Sequence, residues 1–312
     1  MSLQDFIDKS KDRYREQGPG VLPSVGVDFT MSALAKLPIL SGIGTNVFER
    51  EWDVLLILDA TRLDMYQRII DSEVDSIWSV GSSSDEWMQH TFVPEYEEKL
   101  AETVYVTGNP FSEDECPDHV FAAVEEVWRD HWDAEAGTIK PGPITDQVID
   151  RHRGGAERVI GHYMQPHYPF IGERTGGDEK MTWDVMGDEA HQGGGLALWD
   201  QFLYGIRDDL LEVKAAYDDN LRYIRARVET VCENVEGQVV ITADHGNALG
   251  EWGMWGHKPG MPHPKMRRVP WDVHECIDQK SYVPNTRATN VGIEAPGSDI
   301  DRNEQLESLG YL

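Results

Sequence analysis

Three stretches of the chain are apolar on both sides of a two-residue repeat: Val54-Leu55-Leu56-Ile57-Leu58, Val159-Ile160 and Val239-Val240-Ile241. They are too short for a helix, and apolar on both faces they read as strands buried inside a parallel sheet. Thr103 to Thr107 reads as another short strand, and Trp271 to Pro284 as strand-like. A different period holds between them. Apolar residues from Leu211 through Val213, Tyr217, Leu221, Ile224 and Val228 to Val231 recur at close to helical spacing. That spacing predicts one long helix over Leu211 to Val235. Val120 to Asp133, Thr145 to Arg153 and the charged stretch Ser2 to Gln17 read as further helices. Gly172 to Gly195, with Trp183 and His191, reads as a long loop suited to a lid. Strand runs alternating with helices predict an α/β domain with a mostly parallel central sheet and helices on both faces. We place it at 51–312, after a peripheral N-terminal segment at 1–50.

Side chains able to do chemistry fall where the strand runs end. The first run gives way to Asp59-Ala60-Thr61-Arg62-Leu63-Asp64, the last to Asp244-His245-Gly246. In open α/β sheets ligands bind at this carboxyl edge. Carboxylate oxygen with imidazole nitrogen suits a divalent metal. His257, Lys258 and His263 follow as further ligands or anion contacts. In Ser76 to Phe92 a hydroxyl cluster at Ser82, Ser83 and Ser84 precedes Asp85-Glu86-Trp87, which is the form of a loop entering a helix. A nucleophile there would sit beside free helix N–H groups, although an ordinary serine cap has the same pattern. Thr61 reads first as a helix cap and second as a nucleophile. His162 reads as a core histidine.

Taken together, these stretches resemble the alkaline phosphatase and sulfatase superfamily. The match runs through Thr242, Asp244, His245, Gly246, Leu249, Gly250, Glu251, Gly253, Trp255 and Gly256 to Arg268-Val269-Pro270. It continues in the P-H-x-P-F segment around His167 and the L-x-x-L-G-Y ending at Leu306 to Tyr311. Asn247 stands where the superfamily has an acidic residue, and His257 is inserted before Lys258. The resemblance implies an alkaline phosphatase-like sandwich and a metal site of Asp59, Asp244 and His245. His257 would be a fourth ligand or belong to a second site. The ion expected is zinc, manganese, magnesium or calcium, with Ala60 removing an aspartate that would favour calcium. It further implies hydrolysis of phosphate, phosphonate or sulfate esters through a covalent serine. Ser83 is the first choice, with Ser82, Ser84 and Thr61 as alternatives, and Arg62, His167 and Lys258 assist. From Ser83 the formylglycine consensus would need Pro and Arg where Asp85 and Trp87 stand. A catalytically silent binding protein and a transferase acting on glycan or lipid head groups are the competing readings.

Composition narrows the partners. The 312 residues hold 56 Asp plus Glu against 28 Lys plus Arg, a formal charge of -28. A surface so acidic argues against nucleic acid and anionic membranes as partners. It fits a high-salt cytoplasm, where ions screen self-repulsion. Hydrophobic residues at 40% and ten tryptophans predict a folded core. Three cysteines without ligand spacing, no secretory leader and no apolar stretch of spanning length lead us to expect a reducing cytoplasm and no membrane span. The expected partner is a small-molecule or glycan- or lipid-linked anionic ester. Homo-oligomerisation stays open.

Overall fold

In the computed structural model, residues 43–117, 119–172, 197–286 and 301–311 are described, together with Lys11, Gly26 and Thr30. The expected helix Ser2 to Gln17 and the loop Gly172 to Gly195 lie outside them, apart from Lys11 and Gly172.

A seven-stranded sheet forms the centre. We label its strands in chain order: β1 (Val54–Leu58), β2 (Asp75–Trp78), β3 (Thr103–Thr107), β4 (Ala123–Glu126), β5 (Arg158–Tyr163), β6 (Gly237–Thr242) and β7 (Arg268–Cys276). Across the sheet they run β2-β7-β6-β1-β5-β3-β4. All pairings are parallel except the two that β7 makes, with β2 and β6. β7 is thus the single reversed strand. β1 lies between β6 and β5 and is buried along its whole length, as its unbroken apolar run requires.

Helices cover both faces, as expected. On β1, Val54, Leu56 and Leu58 face one core with Met65, Val148, Leu221 and Ile224. These come from α1 (Leu63–Ile69), α3 (Pro141–Arg153) and α4 (Leu210–Cys232). Leu55 and Ile57 face a second core with Trp87 and Met88 of α2 (Ser84–Thr91). The remaining helix used below is α5 (Arg302–Ser308). Val47 and Phe48 are buried in the second core, so the end of the N-terminal segment packs with the domain.

Two elements differ from expectation. Val120 to Asp133 is not one helix: it contains β4, then a short helix at Trp128–His131. Its Ala and Glu residues favour a helix in isolation, but the free edge of β3 pairs with Ala123 to Glu126, and sheet pairing overrides local preference. The strand-like stretch read from Trp271 begins earlier, at Arg268, because it pairs with β2 from that residue on.

Candidate active site

The register of the central strands sets the site. Ile57 of β1 pairs with Thr242 of β6 on one side and His162 of β5 on the other. Asp59 and Asp244 therefore emerge two residues later on adjacent parallel strands. Both are fully buried. Asp59, His162 and Asp244 each bring a ligand atom within 4.8 Å of the others. His245 Nε2 joins them, 3.5 Å from Asp59 Oδ1 and 3.5 Å from Asp244 Oδ2. Its Nδ1 stands 2.8 Å from the Gly246 carbonyl. The N–H must point at that acceptor, which leaves a lone pair on Nε2.

Backbone geometry holds the two aspartates. Asp244 Oδ1 accepts from the Ala60 and His245 amides at 3.1 and 2.8 Å. Ala60 takes a left-handed φ of 61° to present that N–H. Gly246 has no room for a side chain, since a Cβ would lie 2.3 Å from the Lys265 carbonyl. Asn109, from the loop after β3, donates to Asp59 Oδ2 at 3.1 Å. Asp59 Oδ1 and His162 Nε2 are buried with no hydrogen-bond partner. Burial, then the charge of Asp244, pushes the Asp59 carboxyl well above its usual range. Two facing buried carboxylates, one with an orphaned oxygen, are costly. A divalent cation satisfies all of these groups, so the residues fit a metal.

The hydroxyl that meets this cluster is Ser84. Its Oγ lies 2.7 Å from Asp244 Oδ2, 3.3 Å from Asp59 Oδ2 and 3.3 Å from His245 Nε2. Ser84 is the first residue of α2, and Ser83 is its N-cap. The Ser83 hydroxyl turns away and donates to Asp85. Ser82 Oγ is occupied by Glu86, the Lys258 carbonyl and the Met261 amide. The structure thus brings Ser84, one residue beyond the first choice of Ser83, to the cluster. Thr61 is buried with no partner for its hydroxyl, and no bond joins it to the cluster among the described residues.

The assisting groups divide. Arg62 makes a two-pronged bond to Asp64 at 2.9 and 2.8 Å and also reaches Glu251 at 2.7 Å and the Asn247 carbonyl at 2.7 Å. Its guanidinium braces α1 against the loop after β6, and no hydrogen bond joins it to Ser84 among the described residues. Lys258 meets the serine loop through its backbone carbonyl. His263 caps a short helix by accepting from the Lys265 amide at 3.0 Å, so it is not in the ligand set.

His167 and His257 do reach the site. The His257 ring centre is 4.4 Å from that of His245 and 5.0 Å from that of His167. His167 Nδ1 is bonded to the Tyr168 carbonyl and His257 Nδ1 to Asn247 Oδ1 at 3.1 Å. Burial, then His245, pushes the His167 imidazole down to about 4 and that of His257 well below its usual value. Both are neutral near pH 7 and offer Nε2 lone pairs. With its N–H on Nδ1, a neutral His167 presents on Nε2 a lone pair that accepts a proton or binds a cation.

Sequence reasoning missed three contacts. His162 was expected to be satisfied in the core, yet only its Nδ1 has a partner, Tyr105 OH at 2.8 Å. Asn109 lies in a Gly-Asn-Pro turn that signalled only a loop. Tyr311 stands 3.2 Å from Ser84 Oγ and 3.4 Å from Asp59 Oδ2, and the L-x-x-L-G-Y ending was its only signal.

Among the described residues no helix is long and apolar enough to cross a membrane. No protein-family model matches the chain, and no curated protein matches it. Solved structures do. The integral membrane lipooligosaccharide phosphoethanolamine transferase A from Neisseria meningitidis aligns over 86% of this chain at 14% identity and TM-score 0.47. The chain spans 59% of that protein's length. The C-terminal periplasmic domain of phosphoethanolamine transferase EptC from Campylobacter jejuni aligns over 71% of this chain and 78% of its own, at 12% identity and TM-score 0.46. A putative sulfatase from Bacteroides thetaiotaomicron aligns over 72% of this chain and 65% of its own, at 13% identity and TM-score 0.46. With identities of 12 to 14%, these structures are similar to the chain in fold.

Proposed function

We propose that this protein cleaves a phosphate ester through a covalent phosphoseryl intermediate on Ser84 and passes the phosphoryl group to water or to an acceptor alcohol. One observation carries the reading: a serine hydroxyl at a helix N-terminus lies within 3.3 Å of two buried aspartates and an imidazole. A serine that only capped the helix would bond to the helix backbone. A divalent ion held by Asp59, Asp244 and His245, with His162 beside them, would supply positive charge and lower the hydroxyl's pKa.

The chain's own residues supply the rest. Asp244 accepts a hydrogen bond from the Ser84 hydroxyl at 2.7 Å and orients the oxygen. As Ser84 Oγ bonds to phosphorus, the bond to the alcohol oxygen breaks and that oxygen takes up the proton Ser84 gave up. In the second half, water or an acceptor alcohol attacks phosphorus and the Ser84 oxygen leaves and is reprotonated. The neutral His257 and His167 can accept the incoming proton on Nε2. The N–H groups that open α2 favour negative charge on the transferred group. Phosphate is preferred to sulfate because serine is unmodified in this reading. Counted from Ser84, Glu86 and Met88 occupy the places where the formylglycine consensus has Pro and Arg.

The test is to incubate the zinc- or manganese-loaded protein in molar salt with aryl phosphate monoesters and diesters, quench in acid and map phosphoserine. Label is expected on Ser84. Ser84→Ala should lose the label and at least about a thousandfold in turnover while still binding zinc. Ser83→Ala should stay within a few-fold. Unchanged turnover in Ser84→Ala would sink the proposal. Partition of the label between water and added glycerol separates a hydrolase from a transferase.

A further inference from the structure

The hydroxyl of Tyr311 is brought to Ser84 from far along the chain. α5 is anchored beside the site: Arg302 reaches the Pro110 carbonyl at 3.0 Å and Glu113 at 3.1 Å. Leu306 and Leu309 are buried. Gly310, at φ +80°, turns the chain so that the Tyr311 ring enters an aromatic slot. That ring stacks on His167 at 4.9 Å with planes 14° apart and meets Phe111 edge-on at 4.8 Å. The hydroxyl then stands 3.2 Å from Ser84 Oγ and 3.4 Å from Asp59 Oδ2. The Ser84 proton points to Asp244 Oδ2 at 2.7 Å, and the one phenol proton has two acceptors in reach, Asp59 Oδ2 at 3.4 Å and, nearer, Ser84 Oγ at 3.2 Å.

We propose that Tyr311 is a catalytic residue of this site, its phenol donating a hydrogen bond to the Ser84 oxygen whenever that oxygen carries charge. The inference rests on the Ser84 reading above and adds a residue to it. The charge arises twice, when Ser84 is the nucleophile and when the seryl ester breaks and the bonding pair returns to Ser84 Oγ. No proton leaves Tyr311 in either step. The same hydroxyl lies beside the non-bridging oxygens of a group attached to Ser84, so it also meets the bound anion.

Two measurements on the whole chain test this. Tyr311→Phe keeps the ring and its stacking but removes the donor. With zinc at saturation, turnover should fall by about a hundredfold, the order for one lost donor to a developing oxyanion. Separately, 3-fluorotyrosine at position 311 should shift its fluorine resonance when inorganic phosphate is added to the zinc-loaded protein. Turnover of Tyr311→Phe within twofold of the parent, with a resonance unmoved by phosphate, overturns the proposal. If the parent protein forms no phosphoserine, the Ser84 reading fails, and the fluorine arm then decides alone. A phosphate-dependent shift keeps Tyr311 at an anion site, and no shift removes it.

Discussion

Tyr105 OH lies 2.8 Å from His162 Nδ1, and the other nitrogen of that ring faces Asp244 Oδ2 at 3.5 Å. Three strands contribute one side chain each, Tyr105 from β3, His162 from β5 and Asp244 from the end of β6. All three are fully buried, so the phenol fixes the orientation of the imidazole, and the imidazole sits against the aspartate.

Removing the outer member should therefore loosen the ion. Tyr105→Phe leaves His162 Nδ1 without its partner and should weaken zinc binding by about tenfold, the low end for groups that orient metal ligands. A chelator competition titration reads this directly. Affinity within twofold of the parent would show that the tyrosine only fills space.

Asp59→Asn should have effects of opposite sign with and without metal. In chelated protein it removes one of two facing buried carboxylates and should raise the melting temperature, by about 2–4 °C for each kcal/mol relieved. It should also abolish the stabilisation that zinc gives the parent, because binding to the folded state is what stabilises it. Melting curves in EDTA and in zinc test both halves. A variant less stable in EDTA than the parent would contradict the argument.

Arg62 should prove structural. Its partners Asp64 and Glu251 have side chains 39% and 31% exposed, so solvent softens the loss. Arg62→Gln should cost about 2 kcal/mol of stability, below the range for a fully buried pair. Burial acts to raise the Glu251 carboxyl, but Arg62 overrides it and holds it at about 2. A carboxyl depressed in the folded state stabilises above its unfolded value of about 4.3 and loses that contribution as pH falls towards the folded one. The parent should thus lose stability between about pH 4.5 and 2, and Arg62→Gln less steeply. Parallel acid-unfolding curves would refute this.

The sequence disclosed the sheet centre because β1 and β6 are apolar on both faces, a pattern that few other environments tolerate. It disclosed Asp59, Asp244 and His245 because they directly follow those strands. The serine at the cluster, Ser84, stands one residue beyond the first choice for a physical reason. Adjacent residues at a helix start point about 100° apart, and which one is the cap depends on contacts outside the segment. For Arg62 the sequence held no sign of Glu251, 189 positions away, which its guanidinium meets. His162 and Tyr311 also depend on partners remote in sequence, 57 positions away at Tyr105 and 252 at Asp59. No local pattern reports such meetings.

The distance between the two aspartates follows from the pairing of β1 with β6, whose backbones lie about 4.8 Å apart in any sheet. Ser84 comes from a different kind of element, a helix entered from β2, and Tyr311 from α5. In the proposed reading, the seat for an ion is thus an invariant of the ladder, while the groups that would choose and hold a substrate are carried by separable pieces. Such a molecule can change what it acts on by exchanging its borders, with no alteration to the two strands that define its chemistry.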